Sequence, residues 1–298
     1  MKRLFLSFCV GLQLFSSQAL ASISKQAAAN RTYGDVQAVL KDIAKRHPVT
    51  AKVINLGKND TGEIIQALKA GVGPIHNVIV ATHHGNEYGS TEVALAMAES
   101  LAEKPIQGQT IFVIPVLNVS GYNAKRRWEL NQDPNRNYPG PCGTEGPFTL
   151  KSTQILADLL RNQNIVVSAT LHTHSPAVLY PWGFSTNDLS TRYDGIYIDL
   201  AKAATLESGY AIGNSTALLY PADGAYEDYA MIEYGIWSML FELGFTHSPN
   251  QSDIDDLIRV NVPGLRRYFE QAPVKRAEFH AFEGKCDTSK RLLGIREE

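Results

Sequence analysis

Residues 78–89 read Val78-Ile79-Val80-Ala81-Thr82-His83-His84-Gly85-Asn86-Glu87-Tyr88-Gly89. A run of strand character over 78–81 stops at a histidine, turns on Gly85 and reaches a glutamate before a helical pattern begins at Thr91. Neutral imidazole and ionised carboxylate are the ordinary protein ligands of a catalytic zinc, so His84 and Glu87 on one strand-exit turn make half of a metal site. His83 offers a competing i, i+4 pairing with Glu87, but a turn on Gly85 breaks the helical geometry that pairing needs, and His84 is preferred. His-x-x-Glu alone is a weak motif. What gives it weight is whether a third ligand, a base and a substrate anchor stand at comparable places elsewhere.

Upstream, residues 22–46 are patterned as a helix, with Val36, Leu40 and Ile43 at core spacing, Lys41, Asp42 and Lys45 outward, and Pro48 closing it. Residues 51–56 and 64–68 read as a hairpin about the polar turn Lys58-Asn59-Asp60-Thr61-Gly62. Downstream, an amphipathic helix over 91–103 leads to an apolar strand at 111–117. A helix at 151–161 precedes another apolar strand at 165–171 that ends on His172. Residues 188–208 read as largely helical. A strand at 237–243 carries one carboxylate, Glu242, in apolar company, and residues 254–269 form a closing helix. Uniformly apolar strands alternating with helices predict an α/β sheet covered on both faces. Ligands of such sheets gather at the carboxyl ends of the strands, where His84, Glu87, His172 and Glu242 fall. No repeat, low-complexity tract or linker divides the chain.

The longest irregular stretch, residues 118–148, holds Arg126, Arg127, Asn131, Asn135, Arg136 and Asn137. Loops of that length inside a compact domain are usually functional, and this one is dense in groups that bind anions. Two imidazoles and a carboxylate around zinc, with one position open, polarise a carbonyl and bring the pKa of bound water to about 7. The chemistry also needs a base, and a carboxylate in an apolar strand has the setting that raises its pKa into a useful range. Each residue has a plainer explanation: a buried ion pair for Glu242, a satisfied core position for His172, solvated loop charge for the arginines.

The 298 residues are 44% hydrophobic and 19% charged, with a formal net charge of -2. That is a globular composition with no basic field for nucleic acid or for an anionic membrane surface. Residues 1–21 have the form of a secretory signal: Lys2 and Arg3, an apolar run over 4–15, and Ala19-Leu20-Ala21 as a small-x-small cleavage site. The alternative, a membrane anchor, asks more length than the run has, and no later segment is apolar for long enough to span. The expected arrangement is a signal over 1–21, one catalytic domain over 22–298, and delivery to the periplasm. Cys9 leaves with the signal, so Cys142 and Cys286 form either one disulfide or two buried thiols.

Several segments together resemble the zinc metallocarboxypeptidases of the carboxypeptidase A and B type. His84-Gly85-Asn86-Glu87 is similar to the family's first metal motif, and Asn135-Arg136-Asn137-Tyr138 to its Asn-Arg-Asn-aromatic substrate motif. His172-Thr173-His174-Ser175, with Leu179-Tyr180-Pro181-Trp182-Gly183 after it, resembles the third-ligand segment and its sequel. Phe241-Glu242-Leu243 resembles the surroundings of the catalytic glutamate, and Tyr220 stands 22 residues before Glu242, the family's spacing for a mobile tyrosine. The likeness runs from about residue 60 to residue 269.

The resemblance implies a single domain on a mixed, mostly buried sheet of about eight strands. It implies one zinc ion per chain, held by His84, Glu87 and His172, with Glu242 as the proton-transferring base. Arg127 would stabilise the oxyanion, although Arg126 beside it leaves the register open. Asn135 and Arg136 would hold the terminal carboxylate of the substrate, which a planar guanidinium does better than an ammonium, and Tyr220 would close over it. Asn86 stands where the digestive enzymes carry arginine, which resembles the smaller bacterial members, some of which trim peptidoglycan stem peptides. Glu227, 15 residues before Glu242, falls where the resemblance puts the floor of the side-chain pocket. An acidic floor favours lysine, arginine or the free ammonium of diaminopimelate; otherwise Glu227 and Asp228 face solvent. The expected activity is removal of a C-terminal residue from short peptides, stem peptides first and peptides with a basic C-terminus next. A zinc-dependent deacylase of acyl-amino acids and a non-catalytic peptidoglycan-binding module are the alternatives.

Overall fold

The structure, a computed structural model, describes residues 31–144, 147–187, 190–278, 282 and 286. The expected signal segment lies outside the described residues. Eight strands form one sheet: β1 (Ala51–Lys58), β2 (Ile64–Gly71), β3 (Ile75–Ala81), β4 (Gln109–Ile114), β5 (Val167–His172), β6 (Ala177–Tyr180), β7 (Ala211–Asn214) and β8 (Trp237–Glu242). The helices are α1 (Tyr33–Arg46), α2 (Tyr88–Glu103), α3 (Val119–Ala124), α4 (Lys151–Asn162), α5 (Asp194–Ala204), α6 (Ser215–Leu218), α7 (Tyr226–Tyr234) and α8 (Gln251–Gln271).

The sheet order is β1-β2-β4-β3-β5-β8-β6-β7. Strands β4, β3, β5 and β8 run parallel at the centre; β2 and β6 pair antiparallel with its two sides, β1 antiparallel with β2 and β7 parallel with β6. This is the mixed sheet with helices on both faces that the sequence implies. Of the central strands, β4 and β5 are buried along their whole length and β3 and β8 over all but one end, as continuous apolar runs require. Among the described residues no helix is long and apolar enough to cross a membrane.

Several expected elements are shifted or new. Among the described residues the first helix begins at Tyr33, where Thr32 and Asp35 form a capping box; residues 22–30 of the expected helix lie outside the described residues. The strand expected over 111–117 stops at Ile114, before Pro115, which has no amide hydrogen to give. The chain then resumes bonding to the β3 exit, with Leu117 N donating to Ala81 O and Asn118 N to Thr82 O. Within the stretch read as irregular, Asn118 caps the short helix α3 through its side chain. Of the described residues in 188–208, only Asp194–Ala204 is α-helix. Strands β6 and β7 and helix α7 have no counterpart in the expected elements.

Candidate active site

The parallel register sets the site. His172, the last residue of β5, is paired directly with Glu242, the last residue of β8. On the other side of β5, Ala81 at the end of β3 pairs with Leu171, so the next residues of the β3 exit arrive beside His172. Thr82 turns the chain with φ +60°, uncommon for a β-branched residue, and its hydroxyl is held among Ser90 Oγ, Thr91 Oγ1 and Pro115 O. Gly85 allows the 121–127 segment to press against this turn: a Cβ there would lie 2.1 Å from Gly121 C. Glu87 occupies the N-cap position of α2 but makes no capping bond. Its carboxylate turns instead toward the imidazoles.

His84 Nδ1, Glu87 and His172 Nδ1 meet at one point. His84 Nδ1 lies 2.7 Å from Glu87 Oε1 and 3.2 Å from His172 Nδ1, and His172 Nδ1 lies 3.0 Å from Glu87 Oε2. All three residues are buried, and they form the one His, Cys, Asp or Glu group of metal-holding geometry among the described residues. The set fits zinc: a tetrahedral ion with bonds of about 2.0–2.1 Å separates its ligand atoms by about 3.3 Å. Asp133 Oδ1 bonds His84 Nε2 at 3.0 Å. A proton on Nε2 there leaves the Nδ1 lone pair facing the Glu87 carboxylate, a contact that a metal ion or a second proton between them makes favourable. Burial disfavours charge on His84, yet Glu87 and Asp133 raise its pKa to about 9. Burial alone would raise the Glu87 carboxyl, but His84 and His172 pull it well below the usual range.

His83 points away from this cluster. Its Nε2 is 3.0 Å from Tyr138 Oη, and its ring stacks on His172 with centroids 5.4 Å apart. Asp133 was not singled out from sequence, and His83 was weighed there only as an alternative partner of Glu87. Asp133 sits two residues before Asn135, in a loop where no spacing announces a carboxylate that supports a ligand.

A cleft of about 290 Å³ opens over the cluster, and every expected site residue lines it. Glu242 carries a carboxyl pushed well above its ordinary value, first by burial and then by Glu87. Its Oε2 is sequestered without a hydrogen bond among the described residues. Arg127 enters the cleft, bonded through Nη2 to Asp133 Oδ2 at 3.0 Å, while Arg126 is exposed and outside the lining. Arg136 donates from Nη2 to Tyr220 Oη at 3.3 Å and lies against the Tyr220 ring. Asn135 is fixed by accepting from Tyr226 N at 2.9 Å. Glu227 does not face solvent: it is 2% exposed, its neighbour Asp228 is fully buried, and each has an oxygen without a hydrogen bond among the described residues. Burial raises both carboxyls, Asp228 well above its ordinary value with Glu227 adding repulsion.

Fold and cleft thus define an α/β protein with a His-Glu-His cluster at its strand ends. The sequence matches the zinc carboxypeptidase family over residues 36–264, and the chain belongs to that family, whose members are hydrolases of peptide bonds. Carboxypeptidase B of Astacus astacus is 27% identical over 251 residues, covering 68% of this chain and 82% of the crayfish protein. Carboxypeptidase O of Homo sapiens is 26% identical over 181 residues, 48% of either chain. Bovine thrombin-activatable fibrinolysis inhibitor has the same fold, with a TM-score of 0.73 at 19% identity over 82% of this chain and 97% of that one. So does the murein-tripeptide amidase MpaA of Escherichia coli O157, at TM-score 0.50 and 14% identity, over 74% of this chain and 97% of that one.

Proposed function

We propose that this chain is an exported, periplasmic zinc carboxypeptidase that removes a cationic C-terminal residue from short peptides, with diaminopimelate-containing stem peptides of peptidoglycan as its favoured substrate. The observation that carries the reading is Glu227. This buried carboxyl lines a cleft whose other polar groups suit a peptide carboxylate, one of its oxygens has no hydrogen bond among the described residues, and a substrate ammonium would offset the cost of keeping it there. The fold shared with a murein-tripeptide amidase and the signal-like start over residues 1–21 support the wall-peptide part.

His84, Glu87 and His172 would hold the zinc, which when bound polarises the scissile carbonyl and acidifies water. Asn135 and Arg136 bind the terminal carboxylate in a planar, two-pronged hydrogen bond. Tyr220, about half-covered on the Arg136 guanidinium, closes that end and excludes solvent. Glu242 accepts the proton of the attacking water on its carboxylate and gives it to the leaving amine. Arg127, oriented by Asp133, donates to the oxygen that gains charge, a role worth about 3 kcal/mol.

The test is product mass spectrometry on zinc-loaded protein given muropeptides, peptides ending in lysine, arginine or phenylalanine, their amides, and N-acetylated amino acids. The expected result is release of diaminopimelate, lysine or arginine, weak release of phenylalanine, and none from amides. Glu242→Gln should keep its metal while kcat falls by roughly 10²-fold or more. Hydrolysis of acetylated amino acids in preference to peptides would make the protein a deacylase, and peptide binding without turnover would make it a binding module.

A further inference from the structure

Tyr220 lies between α6 and α7, in a stretch that is neither strand nor helix, yet its ring has to sit over one end of a bound substrate. What holds that stretch is a set of bonds to two neighbouring segments. Ala222 N donates to Gly183 O at 2.5 Å, and Gly224 O accepts from Tyr138 N at 3.1 Å. Between them, the Asp223 carboxylate accepts from Cys142 N at 3.3 Å and from Thr144 Oγ1 at 2.8 Å. It is pressed close against its partners: a Cβ on Gly140 would lie 2.0 Å from Asp223 Oδ1. Asp223 is not part of the cleft lining, so it acts on the site only through what it holds. Pro221 makes the link to Tyr220 stiff, because its ring fixes its own φ and confines the backbone of the residue before it. A shift of Asp223 is therefore passed to the tyrosine and not absorbed on the way.

The groups that hold residues 222–224 are themselves fixed from elsewhere. Cys142 is joined to Cys286, with Cα atoms 5.3 Å apart. Phe282 packs on Trp182 and Phe184, with ring centroids 6.4 and 5.1 Å away, on either side of the glycine that accepts from Ala222. Cys286 and Phe282 thus brace both segments, one covalently and one by packing.

We propose that Asp223 is a positioning residue for Tyr220 and that the Cys142–Cys286 disulfide switches it: with the bridge closed Tyr220 is set over the terminal carboxylate of the substrate, and with the bridge open it is not. The proposal rests on the carboxypeptidase reading and adds to it that tight substrate binding depends on an oxidising compartment. The bridge closes by thiol–disulfide exchange, in which the two cysteine thiols become a disulfide and glutathione disulfide leaves as two thiols. A phosphine opens it, taking the oxygen of water while the two cysteines gain two electrons and two protons.

The test is steady-state kinetics of zinc-loaded protein on Ala-Ala-Lys, with the bridge closed by glutathione disulfide or opened by the phosphine. The Cys142→Ser, Cys286→Ser double variant, folded to the same circular dichroism, serves as the permanently open form. Opening should raise KM about tenfold and leave kcat within about twofold, as loss of a binding contact does. Asp223→Ala with its bridge closed should show the same rise. In a Tyr220→Ala background, neither Asp223→Ala nor opening should raise KM further, whereas a purely structural role would act alike in both backgrounds. An unchanged KM on opening or in Asp223→Ala, or an equal added rise in the Tyr220→Ala background, overturns the proposal and leaves the carboxypeptidase reading standing. Failure of the closed, zinc-loaded protein to cleave Ala-Ala-Lys overturns that reading itself, and the proposal with it.

Discussion

Glu129 shows how far a single buried side chain is displaced from its ordinary chemistry. Burial raises its pKa from 4.5 to about 7, with Asp60 and Glu63 adding to the shift and a hydrogen bond from Ser152 Oγ opposing it. Between those two values the folded protein keeps a proton that the unfolded chain has released, so stability falls as pH rises through that window and levels off above about 7. Denaturant unfolding at pH 5 and pH 8 should show Glu129→Gln gaining on wild type by roughly 2–3 kcal/mol across the interval. Parallel pH profiles for the two proteins would refute the assignment. Sequence gave no warning of this residue, because a glutamate in a polar loop reads as solvated until the fold buries it. The metal cluster was more legible: Gly85 excludes the helical geometry His83 needs, and the structure sets His84, not His83, against Glu87.

Elements were legible in proportion to the contrast between their faces. Strands β3, β5 and β8 announced themselves as continuous apolar runs with polar residues at their ends. Helix α7 did not, since its first six residues are all buried and no polar stripe alternates with an apolar one. Strands β6 and β7, at four residues each, are too short for any period to emerge. The cysteines were open in sequence because pairing depends on approach in space. The structure joins Cys142 to Cys286, 144 residues apart. This clasp connects two rim elements: Cys142 N and Thr144 Oγ1 donate to Asp223, in the segment that carries Tyr220, and Phe282 packs on Trp182 and Phe184. Closing so long a loop limits the unfolded chain, and replacing both cysteines by serine should cost about 2–4 kcal/mol of stability. Equal denaturation midpoints for the oxidised wild type and the double variant would show that the clasp contributes nothing.

At the scale of the whole molecule, the site exists because three parallel strands end at the same level. Their register puts His172 beside Glu242 and delivers the β3 exit next to both, so groups 88 residues apart in sequence, His84 and His172, come within 3.2 Å. Anything that binds the folded cluster and not the unfolded chain also stabilises the fold, so function and stability share one centre. The most direct measurement is zinc content by mass spectrometry after exhaustive dialysis, on wild-type protein and on His172→Ala folded to the same circular dichroism. The account predicts about one zinc per wild-type chain and almost none in the variant, since two remaining ligands hold a zinc ion poorly. Equal zinc in both proteins, or none in wild type supplied with the ion, would contradict it.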